Sequence, residues 1–359
     1  MKKLLSISLI LCFLLGLVGC KKADPSVVSS VPQNVVSEIE EETGKYALNP
    51  LTGEKDLKKD AASFQPVAIM INNISTAWGV QSGLSNADVI YEAYVEGGIT
   101  RLLAVYKDIR AVKKLGSLRS ARYSFADLAA GHGARFVHAG KDEKYCTPRI
   151  EEIGVKSADL NSGSTNKSSV GIGSVAYRED NGLPTEHTLF TTGKKLYDGL
   201  KKNELIDKVK QDEWMNFVEE DAKYTPDGGK CKEIFVPFSG SYGATFKYNK
   251  KTKLYDKYRG ETVQKDAGNN KKVAVGNVLV LYSNTNPLPD GKHVKTDLTS
   301  GEGYYVSRGG YMDIKWSKGE ATDPFVITDS EGEVIDYNPG STYVCLTQTS
   351  NKKGTSITE

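Results

Sequence analysis

Two arginines and a histidine lie close together in one short stretch, LGSLRSARYSFADLAAGHGARFVHAG, which spans residues 115–140. Arg119 and Arg122 are three residues apart, where a polar turn gives way to an apolar run, and His138 ends a second apolar run. A guanidinium binds phosphate or carboxylate through two parallel hydrogen bonds, and an imidazole can supply a proton near neutral pH. These residues therefore indicate either an anion-binding site or a salt-bridged joint within a scaffold.

The surrounding segments predict the elements that would position these side chains. ADVIYEAYVEGG and TRLLAVYKD predict two strands of a hairpin, separated by Gly97-Gly98. Ser120 is a residue type that caps helices, so we expect it to begin a helix over residues 121–130. PVAIMINN and ARFVHAG predict buried strands on either side of that helix. The alternation of strands and helix predicts an α/β (α+β) fold with a mixed sheet.

Two glutamates accompany the arginines. Glu92 and Glu96 lie in YEAYVEGG, and residues four apart share one face of a strand. We expect them to converge at one sheet edge with Arg101, Arg119, Ser120, Arg122 and His138. In an anion site, the start of the helix would add N–H groups and a partial positive charge. In the alternative, the two carboxylates neutralise the arginines and the network only fixes the fold.

A second candidate surface lies in the C-terminal part, where short strands rich in Val, Tyr and Phe predict a β-rich unit. Aromatic rings beside charged groups are suited to a sugar or to a protein partner. The alternative is a hairpin that turns at Gly309-Gly310 with its rings in the core. The members of this candidate surface are Tyr305, Arg308, Tyr311, Asp313 and Trp316.

The first 19 residues predict a signal peptide, because two lysines precede a short apolar run. The run ends in Leu17-Val18-Gly19-Cys20, which resembles the bacterial lipobox, where the cysteine receives a diacylglycerol. Acyl chains on Cys20 would give stable membrane anchoring. Residues 20–47 are polar and predict a lipidated tether. We therefore expect a lipid-anchored protein on the extracytoplasmic face of a cell membrane.

The charge balance and the residue spacing restrict the partners. Of 47 Lys and Arg residues, two lie in the predicted signal peptide, so the remaining 45 match the 45 Asp and Glu. A chain with that balance has no global field that favours nucleic acid. The cysteines and histidines show no spacing typical of a metal or redox site. We therefore expect neither a cofactor nor a metal.

Several motifs together resemble one family. NPLTG, PVAIMINN, LSNADVIYEAYVEGGITRLLAVY, LGSLRSARYSFADLA and FVHAG occur in order, followed by NVLVLYSNT and GEGYYVSRGGYMDIKWSKGE. They resemble the YerB-like lipoprotein family of bacterial envelopes, a two-part domain of unknown function. The resemblance implies a lipid-anchored protein with an α/β part, expected over 48–228, and a β-rich part over 229–359. It supplies no reaction.

Two functions from different classes are compatible with these residues. The first is a binding or scaffolding lipoprotein that holds an anionic glycan, a phosphate ligand or a protein partner. The second is an envelope enzyme of phosphoryl or glycan transfer that uses the arginines. The sequence defines no Mg²⁺ site for it, and Asp88 and Asp127 are only candidate ligands. Geometry distinguishes them, because an enzyme needs the arginines and a carboxylate facing one open pocket. The sequence favours the binding protein.

Overall fold

A computed structural model describes residues 45–209, 214–240 and 242–359, which form one compact unit from Lys45 onward. The predicted signal peptide, Cys20 and the tether up to residue 44 lie outside the described residues. None of the described helices is long and apolar enough to cross a bilayer.

The first part of the described chain alternates short strands with three helices. Its strands are β1 (Tyr46–Ala47), β2 (Leu57–Lys58), β3 (Val67–Ile71), β4 (Val89–Tyr94), β5 (Thr100–Tyr106), β6 (Leu115–Gly116), β7 (Arg135–His138), β8 (Ser157–Asp159), β9 (Val170–Gly171), β10 (Tyr177–Arg178) and β11 (Leu189–Thr191). Its helices are α1 (Tyr123–Gly131), α2 (Cys146–Ile153) and α3 (Gly193–Lys202). The predicted hairpin is confirmed, because β4 and β5 pair in antiparallel fashion.

The second part is built from strands. They are β12 (Gly229–Lys230), β13 (Glu233–Ser239), β14 (Tyr242–Asn249), β15 (Leu254–Arg259), β16 (Thr262–Val263), β17 (Ala274–Val275), β18 (Asn277–Ser283), β19 (Thr285–Pro287), β20 (Val294–Thr296), β21 (Ser300–Ser307), β22 (Gly310–Lys318), β23 (Phe325–Thr328), β24 (Thr342–Gln348) and β25 (Ser356–Thr358).

One mixed sheet of twelve strands runs through both parts, in the order β12-β22-β21-β18-β24-β4-β5-β3-β7-β8-β9, with β23 paired to β22. Strands β3, β7, β8 and β9 are parallel, whereas β18, β21 and β22 are antiparallel. A second sheet of six strands has the order β16-β15-β14-β13-β25, with β17 paired to β15. The predicted fold class, a mixed α/β part followed by a β-rich part, is confirmed.

The large sheet is covered on both faces. On one face, here called the helix face, α1 and α2 pack through Phe125 and Ile150. On the other, here called the sheet face, the second sheet packs through Ile234 and Phe246, and α3 packs through Leu196. Central strands such as β3 are therefore apolar along their whole length, because both of their faces are buried.

The two parts join where β24 lies beside β4. These strands run parallel, with Thr342 opposite Val89 and Cys345 opposite Glu92. The last long strand of the chain therefore completes the sheet that the first part begins. The predicted limits at residues 228 and 229 stay a prediction, because the sheet continues from one part into the other.

A buried carboxylate, that of Glu92, lies at this junction on the sheet face. Its Oε1 accepts hydrogen bonds from Asn73 Nδ2 at 2.9 Å and from Thr100 Oγ1 at 2.8 Å. Its Oε2 accepts one from the Tyr343 hydroxyl at 2.6 Å and lies 3.7 Å from Lys257 Nζ. Burial lowers the pKa of Lys257 to about 8, although the charge of Glu92 opposes that shift. One carboxylate thus links β4, β5, β15, β24 and the loop after β3.

The second sheet makes further contacts with that same loop. Arg259, at the end of β15, donates from Nη2 to Asn73 Oδ1 at 3.1 Å and to Gln81 Oε1. Its guanidinium also lies 4.7 Å from the centre of the Trp78 ring. The two consecutive asparagines after β3 begin a loop that is therefore held in place by the second part of the chain.

Removing the Glu92 carboxylate tests the importance of this junction. We expect Glu92→Leu to lower the free energy of unfolding by about 3–5 kcal/mol, because it leaves a buried ammonium unpaired. The double variant Glu92→Leu/Lys257→Met should recover most of that loss, since it removes both charges. Urea unfolding of the four-member cycle measures both effects.

The exposed pair Glu302–Lys352 provides the matched control. Glu302→Leu should change stability by less than about 1 kcal/mol, as is usual for ion pairs at a surface. Equal losses for Glu92→Leu and Glu302→Leu would contradict the role given to the buried carboxylate.

Candidate functional site

Arg122 immediately precedes α1 and forms an ion pair with Glu96. Its Nε donates to both Glu96 oxygens, at 3.1 and 2.9 Å, and its Nη2 donates to Oε1. Burial disfavours the ionised Glu96, but the hydrogen bonds and charge of Arg122 hold the pKa of that carboxyl at about 2. This guanidinium therefore has its own counterion. A cation at a helix N-terminus otherwise opposes the helix dipole.

Arg101 lies in β5 and points to the helix face. The residue is 5 % exposed, and its Nη1 donates to the backbone carbonyl of Ser120. Within the described residues no carboxylate lies at ion-pair distance from it. Burial lowers the pKa of Arg101, and the charge of Arg122 lowers it further. Arg101 is therefore a buried cation whose recorded partner is a neutral carbonyl.

Arg119 lies in the extended segment that runs beside the end of β3, where its backbone N–H donates to Met70 O at 3.1 Å. Its Nη1 donates to the carbonyl of Glu186 at 3.2 Å, and its Nε is buried without a hydrogen-bond partner among the described residues. Burial lowers the pKa of Arg119, the Glu186 charge opposes this, and Arg122 adds to it. The three guanidiniums thus lie close enough to act on one another.

Glu92 does not join this cluster, contrary to the prediction. The strand ends at Tyr94, and a turn over Glu96–Gly98 follows, with Gly97 at φ +75°. Residues four apart share a face only while a strand continues. Glu92 therefore faces the second sheet, whereas Glu96 reaches Arg122 on the helix face. One of the two expected counterions is absent from the arginine cluster.

Ser120 does not cap α1, which begins two residues later than predicted, at Tyr123, with Arg122 in the N-cap position. The Ser120 hydroxyl instead donates to Ala139 O at 3.0 Å. This bond fastens the arginine segment to the chain that follows β7. Ser120 contributes to the cluster through its backbone carbonyl, which accepts from Arg101.

His138 is also separate from the arginines. It is fully buried, and its Nε2 lies 3.2 Å from Ser157 Oγ and 3.3 Å from Ser169 Oγ. Burial lowers the pKa of His138 to about 4. The ring is therefore neutral at pH 7 and belongs to a hydroxyl network, so it does not supply a proton to the arginine site.

Two residues near the cluster were missed by the sequence analysis. Lys141 pairs in register with Ala121, and its side chain is only 3 % exposed. In the sequence it resembles an ordinary surface lysine in a charged run. Asn72 Nδ2 donates a 2.8 Å hydrogen bond to Nδ1 of His187, and burial followed by the charge of Arg119 lowers the pKa of His187. Neither residue has a spacing that would have identified it.

The predicted C-terminal surface is divided between two faces of its hairpin. Tyr305 and Trp316 are buried on the helix face, at 0 and 2 % exposure. Tyr311 and Asp313 point to the opposite side, because side chains alternate along a strand. Arg308 occupies the turn at φ +49°, so the hairpin turns at Arg308-Gly309 and not at Gly309-Gly310. These five residues do not form one surface.

No group of His, Cys, Asp or Glu residues in the described segments has the arrangement of a metal site. Asp88 accepts a 2.8 Å hydrogen bond from Asn49, and Asp127 forms a 2.7 Å ion pair with Arg149. Each of these carboxylates is thus engaged in a structural contact of its own.

The fold and the cluster define a two-part, sheet-built protein with unbalanced arginines beside its central strands. Family models match both parts: the N-terminal domain of a protein of unknown function (DUF3048) over 51–206, and its C-terminal domain over 234–344. The chain belongs to this DUF3048 family, which confirms the predicted relationship.

Two comparisons with a Bacillus subtilis protein agree with this. The chain is 27% identical over 339 residues to "Putative lipoprotein YerB" of Bacillus subtilis (strain 168), which covers 93% of this chain and 92% of that protein. It is also similar in fold to the crystal structure of the YerB protein from Bacillus subtilis, with a TM-score of 0.72 and 23% identity. That match covers 87% of this chain and all of the other.

The burial of His138 predicts a loss of stability in acid. Because its pKa is about 4 in the folded chain and 6.5 when unfolded, the unfolded state binds more protons between these values. The stability is complete above pH 6.5 and falls as the pH drops towards 4. His138→Gln should remove on the order of 3 kcal/mol of this pH dependence.

Urea unfolding at pH 7 and pH 4.5 measures the difference. His293, which is only partly buried and contacts Asp290 at 2.7 Å, is the control position. A His293→Gln chain should keep the steep acid dependence. His138→Gln should keep only the part of the dependence that comes from His132, whose pKa burial lowers to about 3. If His138→Gln loses none of the dependence, the argument for the neutrality of His138 is wrong.

Proposed function

We propose that this protein is a binding lipoprotein, anchored through Cys20 on the extracytoplasmic face of a bacterial membrane, whose arginine cluster holds an anionic ligand. The lipobox-like LVGC sequence supports the anchor. The similarity to a protein named a lipoprotein supports it as well. The ligand class is an anionic glycan or a phosphate compound, because guanidiniums recognise both carboxylate and phosphate.

The observation that carries the proposal is the imbalance of charge around the arginines. Arg101, Arg119 and Arg122 influence one another, yet only Glu96 forms an ion pair with any of them in the described chain. A structural network would pair each cation, as Arg110 is paired with both Asp60 and Asp108. Unpaired and partly buried guanidiniums are costly unless an anion compensates them.

The surroundings favour binding over phosphoryl transfer. A transfer enzyme needs a base or a nucleophile beside the arginines. Glu96 is held ionised by Arg122 with a pKa of about 2, which makes it a weak base. His138 is neutral and turned towards Ser157. Neither Glu96 nor His138 is therefore arranged to transfer a proton at this cluster.

Anion binding by the arginine cluster can be measured directly. We expect the full chain in detergent to bind pyrophosphate, with a heat signal in titration calorimetry. Arg119→Gln should weaken binding about tenfold or more, since a hydrogen bond to a charged group contributes about 1.5–3 kcal/mol.

Arg110→Gln is the matched control, because it removes a guanidinium that already has two carboxylate partners. This variant should bind pyrophosphate as the wild type does. Equal binding by wild type and Arg119→Gln would place the anion elsewhere, and no binding by the wild type would remove the proposed function.

The anchor predicts a change in cell fractionation. Cys20→Ser should move the protein from the membrane fraction to the soluble fraction, because no acyl chains can then be attached. Cys146→Ser changes a buried cysteine of the folded unit and should leave the protein in the membrane. Membrane retention of the Cys20→Ser chain would show that lipidation at this residue is not the anchor.

A further inference from the structure

We infer that the arginine cluster selects a dianion, specifically a terminal phosphate monoester, over a phosphodiester or a carboxylate. The inference rests on the proposed function, since it concerns the ligand of the same site. It implies that the protein recognises the phosphorylated end of a molecule and not the repeating diesters within a polymer.

The number of uncompensated positive charges at the site indicates the charge of the ligand that would balance them. Arg122 is neutralised by Glu96, with which it shares three hydrogen bonds. Arg101 and Arg119 each donate to a carbonyl and not to a carboxylate. Two positive charges therefore stay uncompensated, and one dianion balances both of them.

The surrounding carboxylates do not alter this balance. The charge of Glu186 acts on Arg119, but the Glu186 side chain is 52% exposed, so water screens it. Lys141 adds a further buried cation nearby, opposed by Glu143, whose side chain is 72% exposed. The local excess is thus at least two positive charges.

The geometry also leaves donors for a phosphate. The Arg119 Nε is buried and has no hydrogen-bond partner in the described chain. Arg101 has one recorded side-chain hydrogen bond, although a guanidinium carries five N–H groups. Arg101 and Arg119 are close enough for the charge of one to lower the pKa of the other. A monoester presents three strong acceptor oxygens, which is enough to offer one to each guanidinium. A diester carries a single negative charge, so it can balance only one of the two guanidiniums.

The protein groups at the site keep a constant charge between pH 5 and 8, with one exception. The Glu96 carboxyl is ionised, because its pKa is about 2, and the buried Cys146 thiol is neutral, because its pKa is about 12. His187 is the exception: it lies near Arg119 and has a lowered pKa. The experiment therefore needs a control ligand that shows the effect of His187 titration on binding.

The test compares four small anions by titration calorimetry on the full chain in detergent. Methyl phosphate is a monoester that becomes a dianion above a pKa of about 6. Dimethyl phosphate and acetate are monoanions, and sulfate is a dianion throughout the range. We expect methyl phosphate at pH 8 to bind about tenfold or more tightly than dimethyl phosphate. The affinity for methyl phosphate should fall on going to pH 5, because the ligand loses its second charge. The affinity for sulfate should stay nearly constant, because sulfate keeps both charges and any change in its binding comes from protein groups such as His187.

Two variants connect this preference to the counted charges. Arg119→Gln removes one uncompensated cation, so the preference for methyl phosphate over dimethyl phosphate should shrink towards equality. Glu96→Gln frees Arg122 and should strengthen methyl phosphate binding. The Glu96 side chain is partly exposed, so this variant provides a result even if Arg119→Gln does not fold.

The outcomes separate the inference from the proposed function. Equal binding of monoanions and dianions that still depends on Arg119 overturns the inference and leaves an anion-binding protein. If the protein binds none of the four anions and no pyrophosphate, both the inference and the proposed function are wrong. If the preference is found, glucose 1-phosphate and phosphatidic acid vesicles, the latter with the Cys20→Ser chain, distinguish a glycan end from a lipid headgroup as the source of the monoester.

Discussion

The burial of the Glu92 carboxylate is the constraint on which the joining of the two parts depends. A carboxylate away from water is stable only when its acceptor sites are filled. Here the donors come from both parts of the chain: Asn73 and Thr100 from the first, and Tyr343 and Lys257 from the second. The β4–β24 pairing and the packing of the second sheet on the large sheet are thus mutually dependent.

The large sheet separates two groups of charged residues. On the sheet face, the charges of Glu92 and Lys257 lie opposite each other and are surrounded by hydrogen bonds. At the arginine cluster, three guanidiniums have one carboxylate at ion-pair distance in the described chain, that of Glu96. Had Glu92 pointed to the helix face, the arginines would have had a second counterion and the cluster would resemble a structural joint. The side to which this glutamate points therefore leaves Glu96 as the one ion-pair partner of the three arginines in the described chain, which favours the proposed anion site.

The sequence predicted the positions of the strands better than it predicted the sheet face to which individual side chains point. The β4–β5 hairpin and the apolar strand β3 followed from patterns of a few residues, which act locally. The assignment of Glu92 and Glu96 to one face was wrong, because the strand ends before Glu96. Where a strand ends depends on the turn that follows it, and the alternation of side chains does not show that turn. The neutral state of His138 depends on Ser157 and on Ser169, which no periodicity connects to it. Such contacts arise from tertiary packing, which a single sequence does not reveal.

The arginine segment is hydrogen-bonded to the same loop that the second sheet contacts. Arg119 N–H donates to Met70 at the end of β3, and Asn72 N–H donates to Ser117 O. Asn73, the next residue, bonds to Glu92 and Arg259 on the sheet face. A guanidinium on such a segment loses little further freedom when an anion binds, so the cost of ordering is small. In the proposed anion site, the buried junction would thus contribute to affinity at the arginines without touching the ligand.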